Sequence, residues 1–100
     1  MGLFKKNLNK LIEENRDALI VDVRTFDEYK MGHIPQAMNL PNETINNVPP
    51  VGLKDKGHKI IVYCRSGMRA KDAAAKLKMM GYTNIINGGG INSWKGGLEK

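Results

Sequence analysis

Two short apolar runs, ALIVDV at residues 18–23 and IIVY at residues 60–63, constrain this chain more than any other feature. Each is continuous rather than alternating, rich in β-branched residues and too short for a helix. That is the pattern of a strand covered on both faces in a parallel sheet. A third run, NII at residues 84–86, extends the series. Helical patterns fall between the strands. Phe4, Leu8, Leu11 and Ile12 recur at spacings that build one apolar helix face. Thr25 predicts an N-cap, Glu28 three residues on completes a capping box, and this helix stops near Gly32. Ala70, Ala73, Ala74, Leu77 and Met80 mark one face of a longer helix, with Gly81 at its C-terminal cap. The alternation predicts an α/β domain with a small, mainly parallel sheet flanked by helices on both faces. Residues 40–57, LPNETINNVPPVGLKDKG, are too polar and too broken by proline for a strand and predict a surface crossover containing a helix.

At 100 residues the chain makes one domain, residues 1–100, able to bury roughly 60–70% of the surface its unfolded form exposes. It carries a single cysteine, so no internal disulfide forms, and no Cys/His cluster has the spacing of a metal site. No metal is expected. The thiol suits a reducing compartment, and no stretch of about 18 apolar residues occurs to span a bilayer. The expectation is a cytoplasmic protein with no membrane partner, although a removed signal peptide would leave no trace. Sixteen Lys and Arg against ten Asp and Glu give a net charge of +6, which raises nucleic acid as a partner. The lysines are scattered and the six aromatics are not interleaved with them, so no nucleic acid is expected. The charges read mostly as solvated faces, with a positive field that draws small anions toward a site as the lesser functional reading.

The chemistry concentrates in CRSGMR, Cys64 to Arg69. If residues 60–63 form a parallel strand and a helix begins at Arg69 or Ala70, Cys64 sits at the strand's carboxyl end, where open α/β sheets bind ligands. The loop from Arg65 to Arg69 would curl around the sulfur with its backbone N–H groups inward, reinforced by the positive end of the helix. Such a nest binds anions, and a cysteine within it is biased toward the nucleophilic thiolate. Gly67 supplies a tight turn, and Arg65 and Arg69 bring forked donors for an oxyanion. Ser66 adds a hydroxyl to the loop or satisfies its backbone. A buried core cysteine would need none of these neighbours, although free cysteine is ordinarily a small buried hydrophobe.

The same residues carry a resemblance. CRSGMR fits the C-x-x-G-x-R active loop of single-domain rhodaneses, and LIVDVRTFDEY, MGHIPQAMNLP and GYTNIINGGGINSW resemble that family's other signatures in order and spacing. The match runs from about Leu19 to Trp94. It implies a sulfurtransferase in which Cys64 takes sulfane sulfur from a donor such as thiosulfate and holds it as a persulfide. The backbone of Arg65, Ser66, Gly67, Met68 and Arg69 would cradle the outer sulfur, with Arg69 closing the loop. No cofactor beyond the covalent persulfide is implied. The partners implied are a small anionic sulfur donor and a thiol or cyanide acceptor, a protein thiol among the candidates. Asp22 and Arg24 in DVR resemble residues that organise the active edge, and His33 in GHIP resembles an architectural histidine rather than a general base. Gly88 to Gly90 lack a phosphate-loop pattern and are expected to turn the chain into a helix holding Trp94. Two positions depart from the family: Gln36 stands where many relatives have Gly, and Asn87 where Leu is common before the glycines.

Two rivals fit less well. Cysteine phosphatases and arsenate reductases use Cys-x5-Arg, whereas four residues separate Cys64 from Arg69. The shorter loop suits one sulfur atom better than a phosphoryl group with three equatorial oxygens. Tyr63 also replaces the His common before the cysteine of protein phosphatases. A non-catalytic interaction module on the same fold would not need Cys64 and its loop.

Overall fold

The computed structural model describes residues 7–100, so Phe4 of the first predicted helix lies outside the described residues. The order of elements is α1 (Leu8–Glu14), β1 (Leu19–Asp22), α2 (Phe26–Met31), β2 (Met38–Asn39), a 3-10 turn at Asn42–Thr44, β3 (Ile60–Cys64), α3 (Met68–Met79), β4 (Ile85–Gly90) and a 3-10 turn at Ile91–Ser93. The strands form one fully parallel sheet in the order β2-β1-β3-β4. The expected α/β architecture is therefore present.

Strand parity divides the core into two layers, because successive side chains leave opposite faces of a sheet. Val21 and Val23, with Ile60, Val62 and Cys64, face the layer built by Ala70, Ala73, Ala74 and Leu77 of α3. On the other face, Ile61 and Tyr63 pack with Leu8 of α1, Ile34 and Ala37, backed by Leu11, Ile12, Ile20 and Trp94. β3 is buried at all five positions, as its unbroken apolar run required. Fully burying aliphatic side chains of this size contributes about 1.5–3 kcal/mol each before the cost of chain ordering is set against it. No helix among the described residues is long and apolar enough to cross a membrane.

The helix signals resolve as expected at their ends. Thr25 Oγ1 accepts from Glu28 N while Glu28 Oε1 accepts from Thr25 N, a reciprocal capping box, and α2 ends at Gly32. After α3, Gly81 N donates to Lys78 O and Tyr82 N to Leu77 O, the paired bonds that close a helix at glycine. The 40–57 crossover contains only the single 3-10 turn.

Two features differ from the sequence reading. Met38–Asn39 form a fourth strand beside β1, with Val21 opposite Met38 and Asp22 opposite Asn39. Two residues carry no periodicity, so only the neighbouring strand reveals them. The glycines also do not turn the chain: β4 continues through Gly90, and Trp94 closes a 3-10 turn rather than sitting in a helix. The reason is close approach. A Cβ on Gly88 would lie 2.6 Å from Leu8 Cδ2 and 2.9 Å from Ile61 Cγ2, and one on Gly90 would collide with the Arg65 carbonyl oxygen. Gly88 and Gly90 are needed for lack of room, whereas Gly89 has open space and is favoured by its positive φ of +78°.

Candidate active site

Cys64 is the last residue of β3, and α3 begins at Met68, one to two residues earlier than the sequence suggests. Met68 and Arg69 therefore belong to the first helical turn, and the connection between strand and helix is only Arg65, Ser66 and Gly67. Gly67 makes the early start possible. It occupies the N-cap in the left-handed region, at φ +105°, which disfavours any residue with a Cβ. A glycine cap has no side chain to accept the first free N–H groups of the helix. The sulfur of Cys64 takes that place: Gly67 N lies 2.9 Å and Ala70 N 3.4 Å from Sγ. Ala70 is the third helical residue, whose N–H a capping oxygen would normally receive.

Two main-chain donors are aimed at one sulfur, beside the N-terminus of α3. The sulfur is also enclosed, since Cys64 is 1% exposed. Burial alone would fit an inert core thiol. Two convergent N–H groups do not follow from packing. Around them Arg65 and Ser66 are exposed, and Met68 is 75% exposed.

Arg69 does not point its fork at an empty loop. Its Nη1 and Nη2 lie 2.6 and 3.0 Å from the two Glu28 oxygens. Glu28 thus caps α2 and holds the first turn of α3 with one carboxylate. The bonds from Arg69, aided by those from Thr25, hold its carboxyl down at about 2 despite some desolvation. Sequence reasoning found Glu28 as a cap and missed the pairing, because residues 28 and 69 meet only through tertiary structure. Arg65 and Lys71, both near the loop, have no ion-pair partner among the described residues.

Beside this loop lies a buried polar network. Asp22 Oδ1 accepts from Arg24 N and Nε, and Oδ2 lies 2.7 Å from Arg24 Nη2. The same Nη2 reaches Gly32 O at 2.7 Å. Burial works against the Arg24 charge, but the bonds and charge of Asp22 outweigh it and hold the guanidinium ionised. Tyr63, directly opposite Asp22 in the β1–β3 register, donates to Asp22 Oδ2 at 2.8 Å and accepts from Ile34 N at 3.0 Å. Burial pushes its hydroxyl pKa up, so it stays a donor. Asn39 Nδ2 bridges the carbonyls of Asp22 and Arg24. Tyr63 and Asn39 were missed as parts of this network; strand parity, which puts Tyr63 on the face of Asp22, was the available signal for the first.

His33 stands apart from the sulfur in its contacts. Its ring stacks on Tyr29 at 3.7 Å, Nδ1 lies 2.9 Å from Tyr29 O, and Nε2 lies 3.8 Å from Glu99 Oε1. Its main chain exchanges two hydrogen bonds with Glu99 in an antiparallel bridge. These are the contacts of a residue that fixes a turn. Asn87 folds back so that Oδ1 accepts from Gly89 N. Gln36 is the only non-glycine residue described at positive φ, +71°, and its N–H donates to Glu99 Oε1.

A four-stranded parallel sheet ending in a cysteine cradled by main-chain N–H groups defines an α/β domain with a thiol-centred site. The chain belongs to the rhodanese-like family, whose model matches residues 4–96. It is similar to a sulfurtransferase of Allochromatium vinosum, 36% identical over 92 residues that cover 89% of this chain and 82% of that protein. It also resembles the tRNA uridine(34) hydroxylase of Erwinia tasmaniensis, 34% identical over 82 residues, of which this chain spans 23% of the length. Among solved structures it superposes on a rhodanese with anions from E. coli with a TM-score of 0.76 and 29% identity, covering 83% of this chain and 98% of that one.

Proposed function

We propose that the chain is a sulfurtransferase that carries sulfane sulfur as a persulfide on Cys64. The carrying observation is the pair of main-chain N–H groups converging on the Cys64 sulfur at the end of β3. In the first half-reaction the Cys64 thiolate attacks the outer sulfur of a donor such as thiosulfate. A new S–S bond forms, the donor's own S–S bond breaks, and sulfite leaves with the electron pair. Gly67 N–H and its neighbours then face a persulfide anion in place of a thiolate. In the second half-reaction cyanide or an acceptor thiolate attacks the outer sulfur, leaving as thiocyanate or a new persulfide, and the Cys64 thiolate is restored. No outside oxidant or reductant is needed, and the two halves predict ping-pong kinetics.

Arg65, unpaired and exposed, draws the anionic donor toward the loop, while Arg69 holds the loop's exit through Glu28. Because the sulfur is enclosed, donor entry requires the connection at residues 65–67 to give way. A reducing compartment such as the cytoplasm keeps the thiol available. The enclosure itself favours a second reading, a binding module with an inert thiol. Thiocyanate formation from thiosulfate and cyanide decides between them. Cys64-dependent turnover, lost in Cys64→Ser, together with a mass gain of one sulfur after thiosulfate treatment is the expected result; absence of both overturns the proposal in favour of the binding module.

A further inference from the structure

A groove of about 480 Å3 runs along the outer wall of the cysteine connection, lined by Ser66, Gly67, Met68 and Lys71 on one side and by Asn87 to Gly90 on the other, with Asn7 and Ser93 at its end. Its size lies in the range of small-molecule sites and far exceeds a thiosulfate ion. Its wall includes Gly67, whose N–H contacts the Cys64 sulfur. No carboxylate lines it. Lys71 makes no ion pair or hydrogen bond with another described side chain. The two asparagines have already used their acceptors: Asn7 Oδ1 receives Lys10 N, and Asn87 Oδ1 receives Gly89 N. The amide N–H2 groups of Asn7 and Asn87 and the hydroxyl of Ser66 have no hydrogen-bond partner among the described residues. The groove offers one ammonium, Lys71, with unpartnered amide N–H2 groups nearby, over a floor of glycine that lets a ligand approach the main chain closely.

A larger hollow, about 630 Å3, is lined by Ile45, Asn47, Pro49, Lys56, Lys76 and Met79. It lies at the carboxyl end of α3, about 18 Å of helix from the sulfur. Distance leaves it no part in the transfer.

We infer that the groove beside Gly67 is the acceptor site, and that it selects thiols bearing a carboxylate, which binds Lys71 and the amide of Asn87 while the thiolate sulfur reaches the Cys64 persulfide. The inference rests on the sulfur-transfer reading. The acceptor thiolate attacks the outer sulfur, the Cys64–S bond to it breaks with its electron pair returning to Cys64, and the product is the acceptor's persulfide.

A single-turnover experiment separates the inference from its basis. The protein is loaded with thiosulfate, freed of excess donor and mixed with 3-mercaptopropionate, 2-mercaptoethanol or cysteamine at matched thiolate concentration, and loss of the extra sulfur from Cys64 is followed by mass spectrometry. The carboxylate thiol is expected to react fastest and the amine thiol slowest at low concentration. Lys71→Glu should lower the ratio of carboxylate to amine reactivity about tenfold, since reversal replaces an attraction by a repulsion. Asn87→Asp keeps the acceptor for Gly89 N, adds a charge to the groove and should lower the ratio in the same direction. The wild-type preference should shrink with added salt. Failure to load any sulfur overturns the sulfur-transfer reading, and the acceptor site with it. Normal loading with a ratio unmoved by either variant overturns the acceptor site alone.

Discussion

The carboxyl ends of β1 and β3 lie side by side and are built in opposite ways. At the end of β1 every polar atom is committed. Asp22 is fully buried, its carboxylate receives Arg24 and Tyr63, and Arg24 extends the network to Gly32. At the end of β3 the sulfur of Cys64 is held by main-chain N–H groups alone, and the glycines of β4 crowd in from behind. Side-chain networks of the first kind are rigid and costly to break, because each partner left behind is a buried charge or donor without a mate. A main-chain cradle of the second kind commits no side chain to the central atom, so its donors can serve another anion in the same place. One strand end is tied by side chains, and its neighbour is the thiol end on which the proposed transfer rests.

The largest expected effect is on the scaffold. Asp22→Ala leaves the Arg24 guanidinium buried without its counter-charge and should cost about 3–5 kcal/mol in urea denaturation. A loss below about 1 kcal/mol would mean that the network is not the support described. Next comes the cradle. Gly90→Ala forces a Cβ against the Arg65 carbonyl and should cost about 1–3 kcal/mol while displacing the loop. It is expected to slow sulfur loading of Cys64 out of proportion to its stability loss, and loading at the wild-type rate would erase the contrast between the two ends.

Glu28→Gln tests the link between them, with a loss on the order of 1 kcal/mol at neutral pH from the weakened cap and ion pair. Its pH dependence carries a sign. Because Arg69 holds the Glu28 carboxyl at about 2 against an ordinary value of 4.5, the stabilisation is fully present above 4.5 and disappears as pH falls toward 2. The stability gap between wild type and Glu28→Gln should close over that window, and a gap constant with pH would exclude the ion pair as its source. The smallest effect is a gain. Gln36 holds a left-handed conformation that a side chain disfavours, so Gln36→Gly should raise stability by about 0.5–1 kcal/mol in thermal denaturation. A loss would mean that the Gln36 side chain contributes more than its backbone costs.

Much of this was legible before any coordinates. The continuous run at residues 60–63 marked a strand buried on both faces, the Thr25 and Glu28 spacing marked a helix start, and the order of the runs put Cys64 between a strand and a helix. The strand Met38–Asn39 was not legible, because two residues hold no period and gain strand geometry only by pairing with β1. The glycine run at residues 88–90 misled for a related reason. Glycine in sequence signals a turn, while here Leu8, Ile61 and the Arg65 carbonyl leave no room for a side chain at Gly88 and Gly90, and Gly89 takes a positive φ of +78° within the strand.

The sequence by itself determined the local matters: the order of the three longer strands and the helices between them, the capping box, and a lone thiol followed by glycine and arginine at fixed offsets. These depend on the periodicity and chemistry of near neighbours, which a chain carries wherever it goes. Tertiary structure alone decided that Arg69 joins Glu28, that Tyr63 joins Asp22, and that two N–H groups of an early-starting helix converge on the Cys64 sulfur. Those pairings form only when the parallel sheet brings distant segments to one edge.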